Sequence, residues 1–202
     1  MKIKIDVSDG KNVFFISDLH INHKNVILFD NRPFYNNGVP DLEAMSQTII
    51  GNWNQTVNDN DIVFILGDLF FGSVNNGKKF IDKLRGHIHF IMGNHDDYKD
   101  IKQYSRFISV NDLVDLTIFD KNNGLNEHFV LCHYPILSWN RKHHKSIHLH
   151  GHTHMGLSNG EFHKNNRIFD VGCNGWNYTP VSYKEIIKLR DKIDYLITTK
   201  HH

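Results

Sequence analysis

Five short apolar runs along the chain each have the length of a single β-strand. They cover residues 12–17, 61–66, 88–92, 128–132 and 146–149. Because each run is nearly continuous in apolar residues, rather than apolar at every second position, it is typical of a strand buried on both faces. The pattern predicts sheets in the interior of the molecule.

A helical pattern separates the first run from the second. Its apolar residues follow a spacing of three and four: Leu42, Met45, Ile49, Trp53 and Val57. Pro40 suits the first turn of this helix, and Asp41 and Glu43 suit the positive end of its dipole. We therefore expect an amphipathic helix that begins close to Pro40.

A second helix is predicted over residues 74–85, with Phe80, Ile81 and Leu84 on its apolar side. Strand, helix, strand, helix, strand is the order that builds a parallel sheet with right-handed crossovers. The first half of the chain is therefore predicted to be α/β.

The second half of the chain has more strands. Runs 116–120 and 126–132 flank Asn123 and Gly124, a pair that favours a hairpin turn, and residues 167–172 resemble a further strand. Together with the first half, this pattern predicts two packed mixed sheets with helices outside, in a single domain that spans residues 1–202.

The end of the chain carries a helix signal. Ser182 and Glu185 have the spacing of a capping box, which predicts a last helix that runs toward Arg190. A strand over residues 193–198 is expected to follow it. The terminal His201 and His202 are consistent with the remnant of a tag.

Composition excludes several classes of protein. Of 202 residues, 40% are hydrophobic and 22% are charged, and the net charge of +1 gives no overall field that attracts nucleic acid or acidic membranes. No long basic stripe favours duplex nucleic acid, and no apolar run has the length of a signal peptide or a membrane helix. With two cysteines there is no disulfide framework, so we expect a cytoplasmic protein.

Polar residues that can bind metals follow each of the five apolar runs. In chain order they are Asp18 and His20; Asp68; Asn94, His95 and Asp96; His133; and His152 and His154. Because ligands of open α/β sheets bind beyond the carboxyl ends of the strands, we expect these segments to converge. Oxygen and imidazole donors without thiolate suit two cations such as manganese, iron, zinc or nickel.

Each of these motifs has a structural alternative when it stands alone, since Gly-Asp is a common turn and His133 could be a hydrogen-bonded core histidine. As an ordered set they resemble the calcineurin-like metallophosphoesterase superfamily, and residues 171–182 with 32–34 resemble its small bacterial and phage members. The resemblance implies a four-layer α/β/β/α sandwich, the calcineurin-like metallophosphoesterase fold.

The resemblance also implies a site for two divalent metal ions, with manganese expected first and iron, zinc or nickel as alternatives. One ion would be held by Asp18, His20, Asp68 and His154. The other would be held by Asp68, Asn94, His133 and His152, so that Asp68 bridges the two.

The chemistry implied by the resemblance is hydrolysis of a phosphate ester by direct attack of a hydroxide, without a covalent phosphoenzyme. His95 is the candidate general acid or phosphate contact, because a histidine side chain ordinarily titrates near a pKa of about 6.5. Asp96 either orients His95 or caps a turn. We expect a small, nucleotide-like diester; a phosphomonoesterase and a non-catalytic metal-binding scaffold are the alternatives.

Three further residues are candidate substrate contacts. His23 lies three residues beyond His20 and either reaches the rim of the pocket or is a solvated loop residue. Trp139 and Arg141 either stack on a base and hold a phosphate, or belong to a solvated charged segment.

Two histidines and one cysteine near these motifs are not expected to bind metal. His148 and His150 precede the turn at Gly151 and are predicted to pack or to form hydrogen bonds. Cys132 precedes His133 on a strand, so it is predicted to face away from the metals as a small buried residue.

Overall fold

The computed structural model describes residues 1–72, 74–164 and 166–199, so His201 and His202 lie outside the described residues. The strands are β1 (Lys2–Asp6), β2 (Val13–Ile16), β3 (Tyr35–Asn36), β4 (Val39–Pro40), β5 (Ile62–Leu66), β6 (His87–Ile91), β7 (Phe107–Asn111), β8 (Leu113–Asp120), β9 (Leu125–Cys132), β10 (Ile147–His150), β11 (Ile168–Asp170) and β12 (Val181–Ser182). The helices are α1 (Lys24–Phe29), α2 (Leu42–Thr56), α3 (Val74–Ile81), α4 (Tyr98–Ile101), α5 (Glu161–Lys164) and α6 (Tyr183–Thr199), with 3-10 turns at Lys142–His144 and Cys173–Trp176.

The strands form two five-stranded mixed sheets and a small hairpin. The first sheet has the order β1-β8-β9-β10-β11, in which only β8 and β9 run antiparallel. The second has the order β12-β2-β5-β6-β7, in which only β12 runs antiparallel to its neighbour. The predicted parallel arrangement of the first three runs and the predicted hairpin around Asn123 and Gly124 are confirmed.

The two sheets pack face to face around an apolar core. Phe15 and Phe64 of the second sheet meet Phe129 of the first, with 5.6 Å between the ring centroids of Phe15 and Phe129. Alternate residues of β2 and β5 point the other way, toward the helices. Burial of both faces explains why these strands are nearly continuous in apolar residues.

Helices α2 and α3 cover the outer face of the second sheet, where Met45, Ile49 and Trp53 are fully buried. The expected position of Pro40 in the first turn of α2 was wrong, because Pro40 pairs with Tyr35 in the β3–β4 hairpin. Asp41 caps the helix instead: its side chain accepts a hydrogen bond of 2.9 Å from the backbone N–H of Ala44.

The outer face of the first sheet has a thinner cover. Val130 and Ile168 of this face pack against Trp139, Ile136 and Phe162, which belong to the connection between β9 and β10 and to the four-residue helix α5. Helices were expected to cover this face, but in this region the cover is largely loop.

The capping box at the start of α6 is confirmed. The Ser182 hydroxyl accepts from the backbone N–H of Glu185 at 3.2 Å, and the Glu185 carboxylate accepts from the backbone N–H of Ser182 at 3.2 Å. The strand expected over residues 193–198 was wrong, because α6 continues to Thr199. An ion pair of 2.9 Å between Arg190 and Glu127 of β9 holds the helix against the sheet. The helix therefore continues through residues whose β-branched and aromatic side chains had indicated a strand.

Within the described part of the chain, every helix is too short or too polar to cross a lipid bilayer.

Candidate metal centre

The candidate ligands lie at the carboxyl ends of β2, β5, β6, β9 and β10. The loop after β2 is joined to the loop after β5, because the backbone N–H groups of Asp18 and His20 donate to the carbonyls of Gly67 and Asp68 at 3.1 and 2.9 Å. The loop after β10 reaches the same place through the backbone N–H of His152, which lies 3.0 Å from Oδ1 of Asp18. These hydrogen bonds bring the three loops together, as the sequence predicts.

Five of the candidate ligands have left-handed backbone conformations: Asp18 (φ 56°), His20 (φ 48°), Asp68 (φ 55°), His152 (φ 69°) and His154 (φ 46°). Such a conformation costs a residue with a Cβ of the order of 1 kcal/mol or more. Strained residues of this kind concentrate at functional sites, where the surrounding structure holds them. The left-handed conformations turn these side chains toward one another beyond the ends of the strands.

Two glycines let the loops approach one another. A Cβ on Gly151 would collide with the Ser17 hydroxyl and lie 2.6 Å from Oδ2 of Asp18, and a Cβ on Gly93 would collide with Oδ1 of Asp68. Gly151 does not have a positive φ. The glycine is therefore required by close contact with the ligand carboxylates, rather than by the turn that the sequence suggested.

The first half of the cluster contains Asp18, His20 and His154, whose ligand atoms lie within 4.8 Å of one another. Nε2 of His20 faces Nε2 of His154 at 3.2 Å, and Nε2 of His154 is 3.7 Å from Oδ1 of Asp18. Nε2 of His20 also lies 3.6 Å from Oδ2 of Asp68.

The second half of the cluster gathers around Asn94 and Asp68. Oδ1 of Asn94 lies 2.9 Å from Nε2 of His133 and 2.8 Å from Nδ1 of His152. Nε2 of His133 is 3.6 Å from Oδ2 of Asp68, the same oxygen that faces His20. Asp68 is therefore shared by the two halves.

The histidine tautomers suit a cation. Nδ1 of His133 lies 2.8 Å from the carbonyl of Leu66, and Nδ1 of His154 lies 2.7 Å from Oδ2 of Asp30, so each donates its proton outward. The Nε2 lone pairs of both rings then point into the cluster. Nitrogen lone pairs that point toward one another and toward the Asp68 carboxylate repel unless a cation lies between them. The residues present therefore fit a pair of divalent ions.

Burial acts on the ionisation of the cluster. Burial raises the pKa of Asp18 to about 6, while the neighbouring histidines and the Ser17 hydroxyl oppose the rise. Burial, with His154 and Arg32 close by, holds the pKa of His20 far below its usual range, so His20 is neutral at pH 7. A buried carboxylate beside the neutral imidazole of His20 attracts a cation, because a cation offsets the cost of burying the charge.

Asp30 and Arg32 support the cluster, and the sequence reasoning did not assign them. Burial alone would lower the pKa of His154, but the hydrogen bond to Asp30 and the charge of Asp18 raise it. Arg32 is fully buried; it pairs with Asp30 at 3.0 Å and donates to the carbonyls of Asp18 and Leu19 at 2.9 and 3.0 Å. Arg32 belongs to residues 32–34, which are part of the family resemblance, but no local pattern in the sequence indicated its contact with Asp30.

Asp96 caps a turn, which was the second of its two expected roles. Its carboxylate accepts hydrogen bonds from the backbone N–H groups of Asp68 and Gly93, both at 2.8 Å, and of Leu69 at 3.1 Å. In the described residues no hydrogen bond joins it to His95. The interpretation that Asp96 orients His95 was therefore wrong, because its acceptor oxygens are used to hold the loop of the ligand Asp68.

His95 and His23 lie at the mouth of the cluster. The exposed ring of His95 is edge-on to His20, with 5.4 Å between centroids, and its backbone N–H donates to Oδ1 of Asp68 at 3.0 Å. The ring of His23 lies 5.7 Å from that of His20 and stacks on Phe71. Both are near enough to the candidate ligands to contact a bound substrate.

Trp139 and Arg141 do not lie at the mouth of the cluster. The Trp139 ring is buried on the outer face of the first sheet, where its Nε1 donates to the Ser146 hydroxyl at 3.1 Å. Arg141 lines a groove of about 700 Å³ on the same face, together with Lys4 and His128. The prediction that Trp139 and Arg141 bind the substrate of this site was wrong, since their segment folds over the opposite face of the sheet.

His148 and His150 are completely buried on β10. Nδ1 of His148 lies 2.9 Å from the carbonyl of Val130, and Nε2 of His150 lies 2.8 Å from Nε2 of His163. The prediction that they pack and form hydrogen bonds is confirmed by these contacts. Cys132 is half-buried, which makes it less buried than expected.

Comparison with known proteins gives relatives along almost the whole chain. No protein-family model matches it. The uncharacterized protein MJ1445 of Methanocaldococcus jannaschii is 35% identical over 187 residues, which cover 90% of this chain and 93% of that protein. The gene 66 protein of Mycobacterium phage L5 is 27% identical over 206 residues, which cover 90% of this chain and 95% of that protein.

A solved structure has a similar fold. The crystal structure of the protein of unknown function AQ665 from Aquifex aeolicus superposes with a TM-score of 0.67 at 23% sequence identity, covering 89% of this chain and 100% of that chain. This likeness concerns the fold alone. On the identity and coverage shared with MJ1445, the chain belongs to the same protein family as that archaeal protein.

Proposed function

We propose that the chain is a phosphoesterase that depends on two divalent metal ions, with the four-layer fold of the calcineurin-like metallophosphoesterases. The observation that carries the proposal is the position of Asp68: its Oδ2 lies 3.6 Å from Nε2 of both His20 and His133. A single carboxylate oxygen equidistant from two imidazoles of different strands is the arrangement expected of a ligand shared by two metal ions.

The residues assigned to each ion follow from the two halves of the cluster. Asp18, His20, Asp68 and His154 would hold one ion, and Asp68, Asn94, His133 and His152 the other. Manganese, iron, zinc and nickel all accept such oxygen and imidazole donors. When bound, the ions supply Lewis acidity that lowers the pKa of water and offsets the charge of a phosphate.

The protein's own side chains account for the rest of the chemistry. Asn94 contributes a neutral oxygen in place of a third carboxylate, so the loaded site keeps more positive charge for an anionic phosphate. His95 is exposed at the mouth, 5.4 Å from His20 between ring centroids, and is placed to give a proton to the leaving oxygen. Asp96 fixes the backbone of Asp68 through its hydrogen bonds to three N–H groups.

The overall architecture supports the same proposal. Two mixed sheets pack face to face, and the cluster lies at the carboxyl ends of strands from both of them. This is the place where open α/β sheets bind their ligands. A phosphate diester is our proposed substrate. Residues 67–72 lack the longer Gly-Asp-x-x-Asp-Arg-Gly motif of protein phosphatases, which argues against a phosphoprotein.

The proposal is tested with the purified protein loaded with manganese, using chromogenic phosphate mono- and diesters. Asp68→Asn is expected to weaken manganese binding and to abolish turnover. His95→Ala is expected to retain manganese and to slow esters with poor leaving groups most, because those esters depend most on proton donation.

Two residues far from the cluster provide matched controls. Asp115→Asn and His128→Ala change the same residue types in the groove on the outer face of the first sheet and are expected to leave turnover unchanged. Full activity of Asp68→Asn would contradict the shared ligand. No hydrolysis of any ester by fully loaded protein would favour a non-catalytic metal-binding scaffold.

A further inference from the structure

Two aromatic side chains with large exposed fractions stand at the mouth of the histidine cluster. Phe71 is 51% exposed and Tyr134 is 44% exposed. Exposed rings beside a polar site are a feature of binding surfaces, because a ring contributes apolar area in a fixed orientation.

Phe71 belongs to the side of the cluster formed by His20. Its ring stacks on that of His23, with 4.7 Å between centroids and 26° between planes, and His23 in turn packs on His20. The backbone is held as well: the N–H of Phe71 donates to the carbonyl of Ile21 at 2.7 Å, and the Asn22 amide donates to the carbonyl of Phe71 at 3.0 Å. These contacts place the ring beside the cluster without the help of a ligand.

Tyr134 belongs to the opposite side of the cluster. Its ring stands edge-on to both His133 and His152, with centroid distances of 5.0 Å. The loop that carries Tyr134 is anchored to β10, because the backbone N–H of Ile136 donates to Nε2 of the buried His148 at 3.2 Å. Both rings thus pack on histidines of the cluster and lie in loops anchored by hydrogen bonds, and a surface that is already positioned loses less entropy when a ligand binds.

His23 adds a polar group beside the Phe71 ring. Its Nδ1 is buried without a hydrogen-bond partner among the described residues. The ring is held in place by Phe71 and His20 rather than by hydrogen bonds. A site with aromatic walls around imidazoles suits a ligand that joins a planar ring to an anionic phosphate.

We propose that Phe71 and Tyr134 are stacking surfaces for a nucleobase, so that the substrate is a nucleoside phosphate ester. This inference rests on the proposed function for the identity of the reacting group. Stacking on an aromatic ring uses the π-face that every base has, so the site is expected to accept purines and pyrimidines alike.

Equilibrium binding tests the inference without turnover. Calorimetric titration of the manganese-loaded protein compares thymidine 5′-monophosphate with methyl phosphate, which presents the same phosphate group without a base. The nucleotide is expected to bind about 5- to 150-fold more tightly, the range that follows from the energy of stacking one base.

The double variant Phe71→Ala/Tyr134→Ala is expected to bind the two ligands equally, with the affinity for methyl phosphate and the manganese content unchanged. Tyr98→Ala is the matched control, because Tyr98 is 47% exposed and packs on Lys102 rather than on a histidine of the cluster. If the double variant does not fold, Phe71→Leu and Tyr134→Leu singly keep the apolar volume and are each expected to reduce the preference. Equal affinities in the unsubstituted protein, or a preference that survives the double substitution, would overturn the inference.

A paired assay separates this inference from the proposed function. Thymidine 5′-(p-nitrophenyl phosphate) and methyl p-nitrophenyl phosphate share one leaving group and differ only in the base-bearing substituent. Hydrolysis of both at equal kcat/KM, with equal binding of the monophosphates, would overturn the stacking surfaces and retain the phosphoesterase. Absence of hydrolysis with an intact binding preference would overturn the phosphoesterase and retain the nucleotide site.

Discussion

His148 and His150 lie in the same seven residues as His152 and His154, but the two pairs have different environments. The first pair is fully buried on β10, hydrogen-bonded to backbone carbonyls and to His163. The second pair follows the strand in left-handed backbone conformations, with φ of 69° and 46°, and faces the cluster. Residue type is the same in both, so the backbone conformation separates a structural histidine from a candidate ligand.

The partner of each ring makes the same distinction. Nδ1 of His150 faces the carbonyl of Gly151 at 2.7 Å, whereas Nδ1 of His154 faces the carboxylate of Asp30 at 2.7 Å. A carboxylate partner makes Nε2 of the ring a better donor to a cation. His150 and His154 therefore differ in position, since one lies on β10 and the other beyond its end, and also in the basicity of their free nitrogen.

The largest expected effect is that of His154→Ala. Removal of this ring takes away a ligand of one ion, so turnover of a chromogenic diester is expected to fall about 10³-fold or more. Elemental analysis should then give close to one manganese per chain. His150→Ala is the control and is expected to retain both ions; loss of metal in both variants would break the distinction between the pairs.

The second effect is on stability, and here the buried pair is expected to matter more than the pair that faces the cluster. His150→Ala removes a fully buried ring and leaves His163 without its 2.8 Å partner, so the free energy of unfolding is expected to fall by about 2–4 kcal/mol. Calorimetry of the metal-free protein should show a Tm lower by about 5–15 °C. The exposed His152, changed to alanine, should leave that Tm nearly unchanged, and an equal loss in both variants would contradict the comparison.

A smaller effect is expected from the residue that supports His154. Asp30→Asn keeps the size of the side chain and removes its charge, so manganese affinity is expected to fall about 10- to 100-fold. Competition with a chelator measures it. Asp115→Asn changes a carboxylate on the outer face of the first sheet that accepts a hydrogen bond from the Asn140 amide, and this change is expected to leave the affinity as it was. Equal affinities in Asp30→Asn and the unsubstituted protein would show that Asp30 does not tune His154.

The smallest effect concerns Asp18 in the absence of metal. Burial raises its pKa to about 6 from 3.8, so at pH 7 the folded state holds an ion that the unfolded chain accommodates more easily. Asp18→Asn is therefore expected to stabilise the metal-free protein by about 1–2 kcal/mol at pH 7.

The sign of this effect sets its pH dependence. Because the folded-state pKa is raised, the folded protein takes up a proton on Asp18 as pH falls through about 6, and the penalty decreases progressively from there toward the unfolded value of 3.8. The difference in Tm between Asp18→Asn and the unsubstituted protein should shrink between pH 7 and pH 5. A difference that is constant over this range would contradict the ionised state of Asp18.

Much of the fold could be predicted from local pattern. The runs that become β2, β5, β6, β9 and β10, the helix α2 and the capping box of α6 follow from periodicity and capping chemistry, which act within a few residues. The edge strands β1 and β7 were not predicted. Lys2 and Lys4 in β1, and Ser109 and Asn111 in β7, alternate with apolar residues too briefly to distinguish a strand from a loop. The strand predicted over 193–198 was wrong for a related reason, since the contact between Arg190 and Glu127 is not local.

The order and chemistry of the candidate ligands could also be read from the sequence, because each one follows directly after an apolar run. Arg32 could not be assigned in this way. It is charged yet fully buried, and its partners Asp18, Leu19 and Asp30 are brought to it by the folding of the loop after β2. Nor could Trp139 be placed, since a ring in a charged segment can pack on either face of a sheet.

Sequence alone determined which residues can end a strand and donate nitrogen or oxygen, because hydrophobic periodicity and side-chain chemistry are properties of the chain itself. The tertiary structure decided which of them meet. Asp68 faces two histidines from different strands, Asp96 holds the backbone of Asp68, and Phe71 and Tyr134 stand on either side, because the stacking of strands and the left-handed turns after them bring together residues that are far apart in the chain.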